Sequence, residues 1–301
     1  MKQFNVKKIA ATIALGALAL NFAGCASAPA QTSAASSTDA ETAQGSADVA
    51  TAQVSADEKI VLKGIVDLVP HSEIIEHVRP QLEEQGIYIE LVATAADSTT
   101  NERLDSGEID FNYFQHLPYL ESEVAANGYD LVSAGGIHIE PITAYSDKYS
   151  SVDQIPDTAV VAIPNDGTNE YRALRILEEN GFIVLDPAAK DSLSASVKDI
   201  TEYKKQIEIV EIDSAQIIPT KDDYDFFITN TNKALEAGIT STKLFSEGKD
   251  SPYANIIAVR AEDLDNPAVK ALVDALLSEE TQQWIAEKYN GAVIPVIDLG
   301  N

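Results

Sequence analysis

Past residue 58 the chain alternates short apolar, β-branched runs with stretches whose apolar residues recur every three or four positions. Residues 60–66 and 87–92 read as strands around a helix predicted over 72–84. Residues 131–132 and 137–145 read as strands on either side of a break at Gly135-Gly136. Residues 159–163 have the unbroken apolar character of a strand buried on both faces, and a helix is predicted over 170–180. Further strands are predicted at 207–212, 224–228 and 254–259, and helices over 267–277 and 279–289 close the chain. This alternation predicts an α/β fold with mostly parallel sheets flanked by helices. About 240 residues exceed what one core usually holds, so two lobes are expected. No unit recurs at a fixed period, which excludes a solenoid.

The first 25 residues follow a different pattern. Lys2, Lys7 and Lys8 precede an apolar run over 9–22 that ends at Ala23-Gly24-Cys25. About 14 apolar residues fall short of the ~20 that span a bilayer, so the segment reads as a secretory leader. Cys25 is the one cysteine of the chain and stands directly after the apolar run. That leaves the mature protein without a disulfide or a catalytic thiol. Residues 26–57 are Ala, Ser, Thr and Gln with scattered acids and no Lys or Arg, the composition of a flexible tether. The formal charge of −27 becomes more negative when the leader lysines leave. Such a body does not bind nucleic acid electrostatically.

Three polar insertions interrupt this pattern where strands hand over to helices. The first is Asp110-Phe111-Asn112-Tyr113-Phe114-Gln115-His116-Leu117-Pro118-Tyr119. Pro118 suits a first helical turn, which puts the rings at a strand's carboxyl end, where open α/β sheets bind ligands. Any one of Tyr113, Phe114 and Tyr119 taken alone is ordinary core. With Gln115 and His116 beside them they describe an aromatic pocket with a few aimed polar groups. The second insertion is Asn165-Asp166-Gly167-Thr168-Asn169-Glu170-Tyr171-Arg172. Thr168 or Asn169 is expected to cap the next helix, putting Arg172 in its first turn. Two readings stand for Arg172: a solvated or salt-bridged side chain, or a guanidinium that shares a bound carboxylate with the helix N-terminus. The third insertion is Thr229-Asn230-Thr231-Asn232, where Asn230 is either a turn former or a group offering both a carbonyl and an amide to an amino acid.

Enzyme signatures are absent: the chain carries no Gly-x-Ser-x-Gly elbow, Walker loop or dinucleotide glycine fingerprint. A metal-capturing alternative would use His71, His77, His116 and His138, whose spacing matches no standard ligand pattern. No cofactor, metal or catalytic residue is assigned.

Taken together and in order, these motifs resemble the methionine-binding lipoprotein (NlpA) family of substrate-binding proteins, over about residues 60–295. The segments that carry the resemblance are Phe114-Gln115-His116-Leu117-Pro118-Tyr119, Pro164-Asn165-Asp166-Gly167-Thr168-Asn169 with Arg172, Ala215-Gln216, Asn230 and Ser251-Pro252-Tyr253. The residues ending at Cys25 likewise resemble a lipobox. The resemblance implies a two-lobed, periplasmic-binding-protein-like clamshell that is not an enzyme. It would be anchored through lipid on Cys25 at the extracytoplasmic face, and would pass L-methionine to an ABC permease and its ATPase. Another amino acid or a methionine-containing dipeptide is the alternative ligand. Tyr113, Phe114, His116 and Tyr119 would form the side-chain pocket, Arg172 would bind the carboxylate, and Asn169 and Asn230 would hold carboxylate and ammonium. The expected division is residues 1–25 as signal peptide, 26–57 as tether, 58–141 with 253–301 as one lobe, and 142–252 as the other.

Overall fold

The computed structural model describes residues 59–92, 94–190, 195–248 and 251–299. The expected leader with Cys25 and the expected tether lie outside the described residues. In chain order the first elements are β1 (Ile60–Val66), α1 (Glu73–Glu83), β2 (Ile87–Leu91), α2 (Thr100–Asp105), β3 (Phe111–His116), α3 (Leu117–Asn127) and β4 (Leu131–Ile139). A second set follows: β5 (Thr143–Ser146), β6 (Val160–Pro164), α4 (Gly167–Glu179), β7 (Ile183–Leu185), α5 (Pro187–Lys190), β8 (Ile200–Tyr203), β9 (Glu208–Ile212), α6 (Ser214–Ile217), β10 (Phe226–Thr229), α7 (Thr231–Glu236) and β11 (Thr242–Ser246). The chain closes with β12 (Ala254–Arg260), α8 (Pro267–Leu277), α9 (Glu279–Tyr289) and β13 (Ile294–Pro295).

Among the described residues the strands form two main sheets, ordered β13-β4-β12-β3-β1-β2 and β11-β5-β10-β6-β9, and a small β7-β8 ribbon. The chain therefore passes between the main sheets twice, at 140–142 and at 247–253. The two sheets repeat one plan. β1 has β2 on one side and β3 on the other, all parallel, as β6 has β9 and β10. The next strand in each sheet is reversed: β12 pairs antiparallel with β3, and β5 with β10. The α/β clamshell is present, but the expectation of mostly parallel sheets is corrected to mixed sheets. The reversed strand is in each case the first one after the chain crosses from the other sheet, so it enters from the opposite end.

Each sheet buries its own apolar core. The first combines Leu62, Ile74, Val78, Leu82, Phe111, Ile257 and Leu272; the second combines Val161, Ile163, Leu174, Leu177, Phe182 and Phe226. Helix α1 presents Ile74, Ile75, Val78 and Leu82 as one buried stripe, with Glu73 and Glu76 favouring its positive N-terminus. Helices α8 and α9 start as their caps dictate: Asn266 before Pro267, and Ser278, whose Oγ accepts from the Thr281 N–H at 3.2 Å.

Two local expectations are overturned. Gly135 and Gly136 do not end a strand, because β4 continues through them, with a register shift against β12 on either side. A Cβ on Gly135 would lie 3.0 Å from Val273 and one on Gly136 3.1 Å from Ala254, so these glycines let α8 and β12 pack close. Helix α4 begins at Gly167, three residues earlier than expected. Neither Thr168 nor Asn169 is the cap: the Asp166 carboxylate accepts from the Asn169 N–H at 3.0 Å, and a charged acceptor at a helix N-terminus outcompetes hydroxyl and amide.

Gly64 has less room for a side chain than Gly135 or Gly136 in the same sheet. A Cβ there would sit 2.3–2.7 Å from the Phe111 ring. Gly64→Ala is expected to destabilise the protein by about 1–3 kcal/mol through overpacking. Denaturant unfolding of the full chain checks this; an unchanged midpoint would show that the ring yields freely.

Candidate functional site

In an open α/β sheet the crevice lies outside the carboxyl ends of the strands, where successive connections leave in opposite directions. In the first sheet that point falls between β1 and β3, and in the second between β6 and β10. The residues at or just beyond those four strand ends are Asp67, the end of β3 and start of α3 (114–119), Asn165 with Asp166, and Asn230. All of these segments line a single cleft of about 370 Å³, together with Asn169, Arg172, Asp213, Asn232, Lys233 and Asn255.

Asn169 is the centre of the cleft. Its Oδ1 accepts from Asn230 Nδ2 at 3.0 Å, from Arg172 Nη1 at 3.2 Å and from His116 Nε2 at 3.3 Å. Its Nδ2 donates to both oxygens of Asp166, at 3.0 and 3.1 Å. The carboxylate thus sets which end of the amide faces the three donors. His116 comes from the first sheet and the other groups from the second, so one amide oxygen joins the two lobes across the cleft.

The His116 tautomer follows from its partners. Nδ1 accepts from the Tyr119 backbone N–H at 3.2 Å, which puts the ring proton on Nε2, facing Asn169. Burial, and secondarily the Arg172 charge, lower its pKa to about 3. The ring is neutral at physiological pH. Phe114 and Tyr119 lie edge to face at 6.2 Å beside it, offering aromatic surface at the mouth of the first sheet.

Arg172 is only 2% exposed and sits in the second turn of α4, which corrects the first-turn expectation. Its guanidinium is salt-bridged. Nε and Nη2 grip the Glu247 carboxylate at 3.3 and 2.6 Å, Nη2 also donates to the Glu140 carbonyl at 2.8 Å, and the Tyr253 ring lies under the cation at 4.4 Å. The forked face is therefore occupied by the protein's own carboxylate. What Arg172 shows the cleft is the Nη1 edge, shared with Asn169.

The remaining aromatic candidate is misplaced by the sequence reading. Tyr113 does not line the cleft; it is fully buried behind it, because the opposite pleat of β3 packs on the core. Its hydroxyl bonds His138 Nδ1, His138 Nε2 bonds Glu140 Oε1 at 2.7 Å, and Glu140 Oε2 accepts from the Asn232 N–H at 3.0 Å. Nearby, His71 Nε2 meets Asn255 Oδ1 at 3.1 Å. The four histidines do not gather at one place. His71, His138 and Glu140 cluster with their ligating atoms within 4.8 Å of one another, but His77 stacks on Trp284 and His116 belongs to the cleft. Both nitrogens of His138 are already held by hydrogen bonds. Gln115 is likewise structural in large part, since it closes a buried carboxamide cluster with Asn101 and Asn112 at 2.7–3.0 Å.

A model of the NlpA lipoproteins matches residues 64–297. The chain belongs to the NlpA lipoprotein family. Among the relatives is the methionine-binding lipoprotein MetQ of Bacillus subtilis, 37% identical over 234 residues, covering 75% of this chain and 85% of that protein. The D-methionine-binding lipoprotein MetQ of Salmonella typhi is 38% identical over 216 residues, covering 70% and 79%. Among solved structures, a nutrient-binding protein from Burkholderia cenocepacia bound to methionine superposes with a TM-score of 0.74 at 39% identity, covering 79% of this chain and all of that one.

Within this NlpA chain the cleft gathers Phe114, His116, Tyr119, Asn169, Arg172 and Asn230 and leaves out Tyr113. Sequence reasoning missed Asp67, Asn232, Lys233 and Asn255 on the cleft wall, and Glu247 and Tyr253 around Arg172. Asp67 was within reach, since it directly follows the first strand, at the end where ligands bind.

Because folding favours the neutral ring, His116 contributes stability that is complete above the ordinary histidine pKa of 6.5 and is lost as pH falls from there toward about 3. Nitrogen NMR of the imidazole is expected to show the Nε2-protonated neutral form unchanged from pH 8 down to 5. Titration near 6.5 would contradict the buried, Asn169-bonded ring.

Proposed function

We propose that this protein is an extracytoplasmic substrate-binding lipoprotein that captures L-methionine in the cleft centred on Asn169 and delivers it to an ABC importer. The observation that carries this reading is the convergence, on one small cleft, of a guanidinium edge, two carboxamides, an imidazole and two aromatic rings from two lobes. A buried amino acid needs partners for its charges; Arg172 Nη1 and the Asn230 amide are donors for the carboxylate, while Asn169, whose Nδ2 is spent on Asp166, presents its acceptor oxygen. The thioether is apolar and polarizable, and each sulfur–aromatic contact with Phe114 or Tyr119 adds ~0.3–1.5 kcal/mol. A cleft of about 370 Å³ is at the low end of the roughly 300–1,000 Å³ of small-molecule sites, which suits one amino acid better than a longer peptide.

Function as a receptor follows from the split of the site. Only when the lobes meet do His116 and Asn169 touch, so a ligand contacting both favours the closed state by its differential affinity. In this reading Cys25 carries the lipid and residues 26–57 give the receptor reach to its permease. Among the described residues no helix is long and apolar enough to cross a membrane. Two acyl chains give stable attachment where one is marginal.

Arg172→Ala would take from Glu247 its ion-pair partner and from the Glu140 carbonyl its guanidinium donor, so loss of fold would confound it. Arg172→Lys keeps the charge and removes the planar fork. The variant is expected to bind L-methionine about 10- to 100-fold more weakly, the loss of a charge-assisted hydrogen bond. Calorimetry on the full wild-type and variant chains reads this directly. Unchanged affinity would remove Arg172 from the site, and a wild-type chain answering only to other amino acids or to a dipeptide would replace methionine as the ligand.

A further inference from the structure

The cleft wall carries five acids: Asp67, Asp97, Glu140, Asp166 and Asp213. Asp97 and Asp213 are exposed. Asp166 spends both oxygens on Asn169, and Glu140 is held through Oε1 by His138 and through Oε2 by the Asn232 N–H. Asp67 differs from all four. It is 4% exposed, and its Oδ1 has no hydrogen-bond partner among the described residues.

Its other oxygen is doubly engaged. Oδ2 accepts from Asn232 Nδ2 at 2.8 Å and from Lys233 Nζ at 3.1 Å, both on α7 of the opposite lobe. The backbone is fixed as well, since the Asp67 N–H donates to the Tyr113 carbonyl at 3.2 Å and the Asp67 carbonyl accepts from the Ser72 N–H at 3.1 Å. The free lone pairs thus belong to a carboxylate held in place at the strand end where the first sheet's connections diverge. A buried carboxylate oxygen without a donor is costly, and the strongest donor for it is a cation.

We propose that Asp67 Oδ1 is the acceptor for the ligand's ammonium group and so sets a requirement for an α-amino group. This rests on the amino-acid reading above and deepens it. The carboxamides of Asn169 and Asn230 orient a zwitterion but carry no charge, whereas Asp67 offers a carboxylate oxygen from the lobe opposite Arg172, its other oxygen being paired with Lys233. Ligand carboxylate and ammonium are then met from different lobes. The same carboxylate holds ligand on one oxygen and the facing lobe on the other, which couples ammonium recognition to closure.

Calorimetric titration of the full chain with L-methionine and with its hydroxy-acid analogue, in which a hydroxyl replaces the ammonium, tests this. Wild type is expected to prefer L-methionine by at least about 10-fold. Asp67→Asn is expected to lose about 10- to 100-fold in L-methionine affinity while holding the analogue within about threefold, so that the preference collapses. Lys233→Met removes part of the lobe contact but leaves Asp67 Oδ1 in place, so it is expected to weaken L-methionine and the analogue to the same extent and to keep the preference for L-methionine. Equal weakening of both ligands in Asp67→Asn, no weakening of either, or a lost preference for L-methionine in Lys233→Met would assign Asp67 to lobe contact alone and overturn the proposal. Failure of wild type to bind any α-amino acid would be seen in the wild-type arm and would remove the amino-acid reading itself.

Discussion

One amide oxygen organises this cleft. Asn169 Oδ1 receives donors from His116, Arg172 and Asn230, and it can do so only because Asp166 holds the other end of the amide. Rotating that amide by half a turn would point its N–H groups at three donors at once. The surrounding protonation states are set by the same demand. His116 must be neutral with its proton on Nε2, and burial beside the Arg172 charge keeps it so.

The fold places this oxygen by repeating one plan twice. Each main sheet brings the ends of its two central parallel strands to the cleft, and each accepts a reversed strand from the chain's crossing. The crossings themselves are put to use. Glu140, just past β4, gives its carbonyl to Arg172 and its carboxylate to the Asn232 N–H; Glu247, just past β11, fills the guanidinium fork; and Tyr253, just before β12, lies beneath the cation. The cation that faces the ligand is therefore braced by both connections between the lobes, which ties its position to their relative placement.

Much of this was legible because local chemistry and periodicity agreed. Asn266-Pro267 and Ser278 mark the starts of α8 and α9 without help from the rest of the molecule. The ring-rich turn at 114–119 announced a site by its company. What the sequence hid depended on distant partners. Arg172 meets Glu247 across 75 residues, so nothing near Arg172 signals that its fork is taken. Gly135 and Gly136 look like a break until Val273 and Ala254 are seen against them. The start of α4 was obscured by three capable caps within four residues, Asp166, Thr168 and Asn169, and Tyr113 by the fact that adjacent residues on a strand face opposite ways. Asp67 could be placed beside the site from its position after the first strand, but that one of its oxygens lacks a donor shows only in the structure.

The crystal structure of the L-methionine complex tests the central claim most directly. The account predicts a ligand carboxylate within hydrogen-bond distance of Arg172 Nη1 and Asn230, its thioether against Phe114 or Tyr119, and Asn169 still bridging His116 and Asn230. Methionine found away from Asn169, or bound with that amide turned and its link to His116 broken, would contradict it.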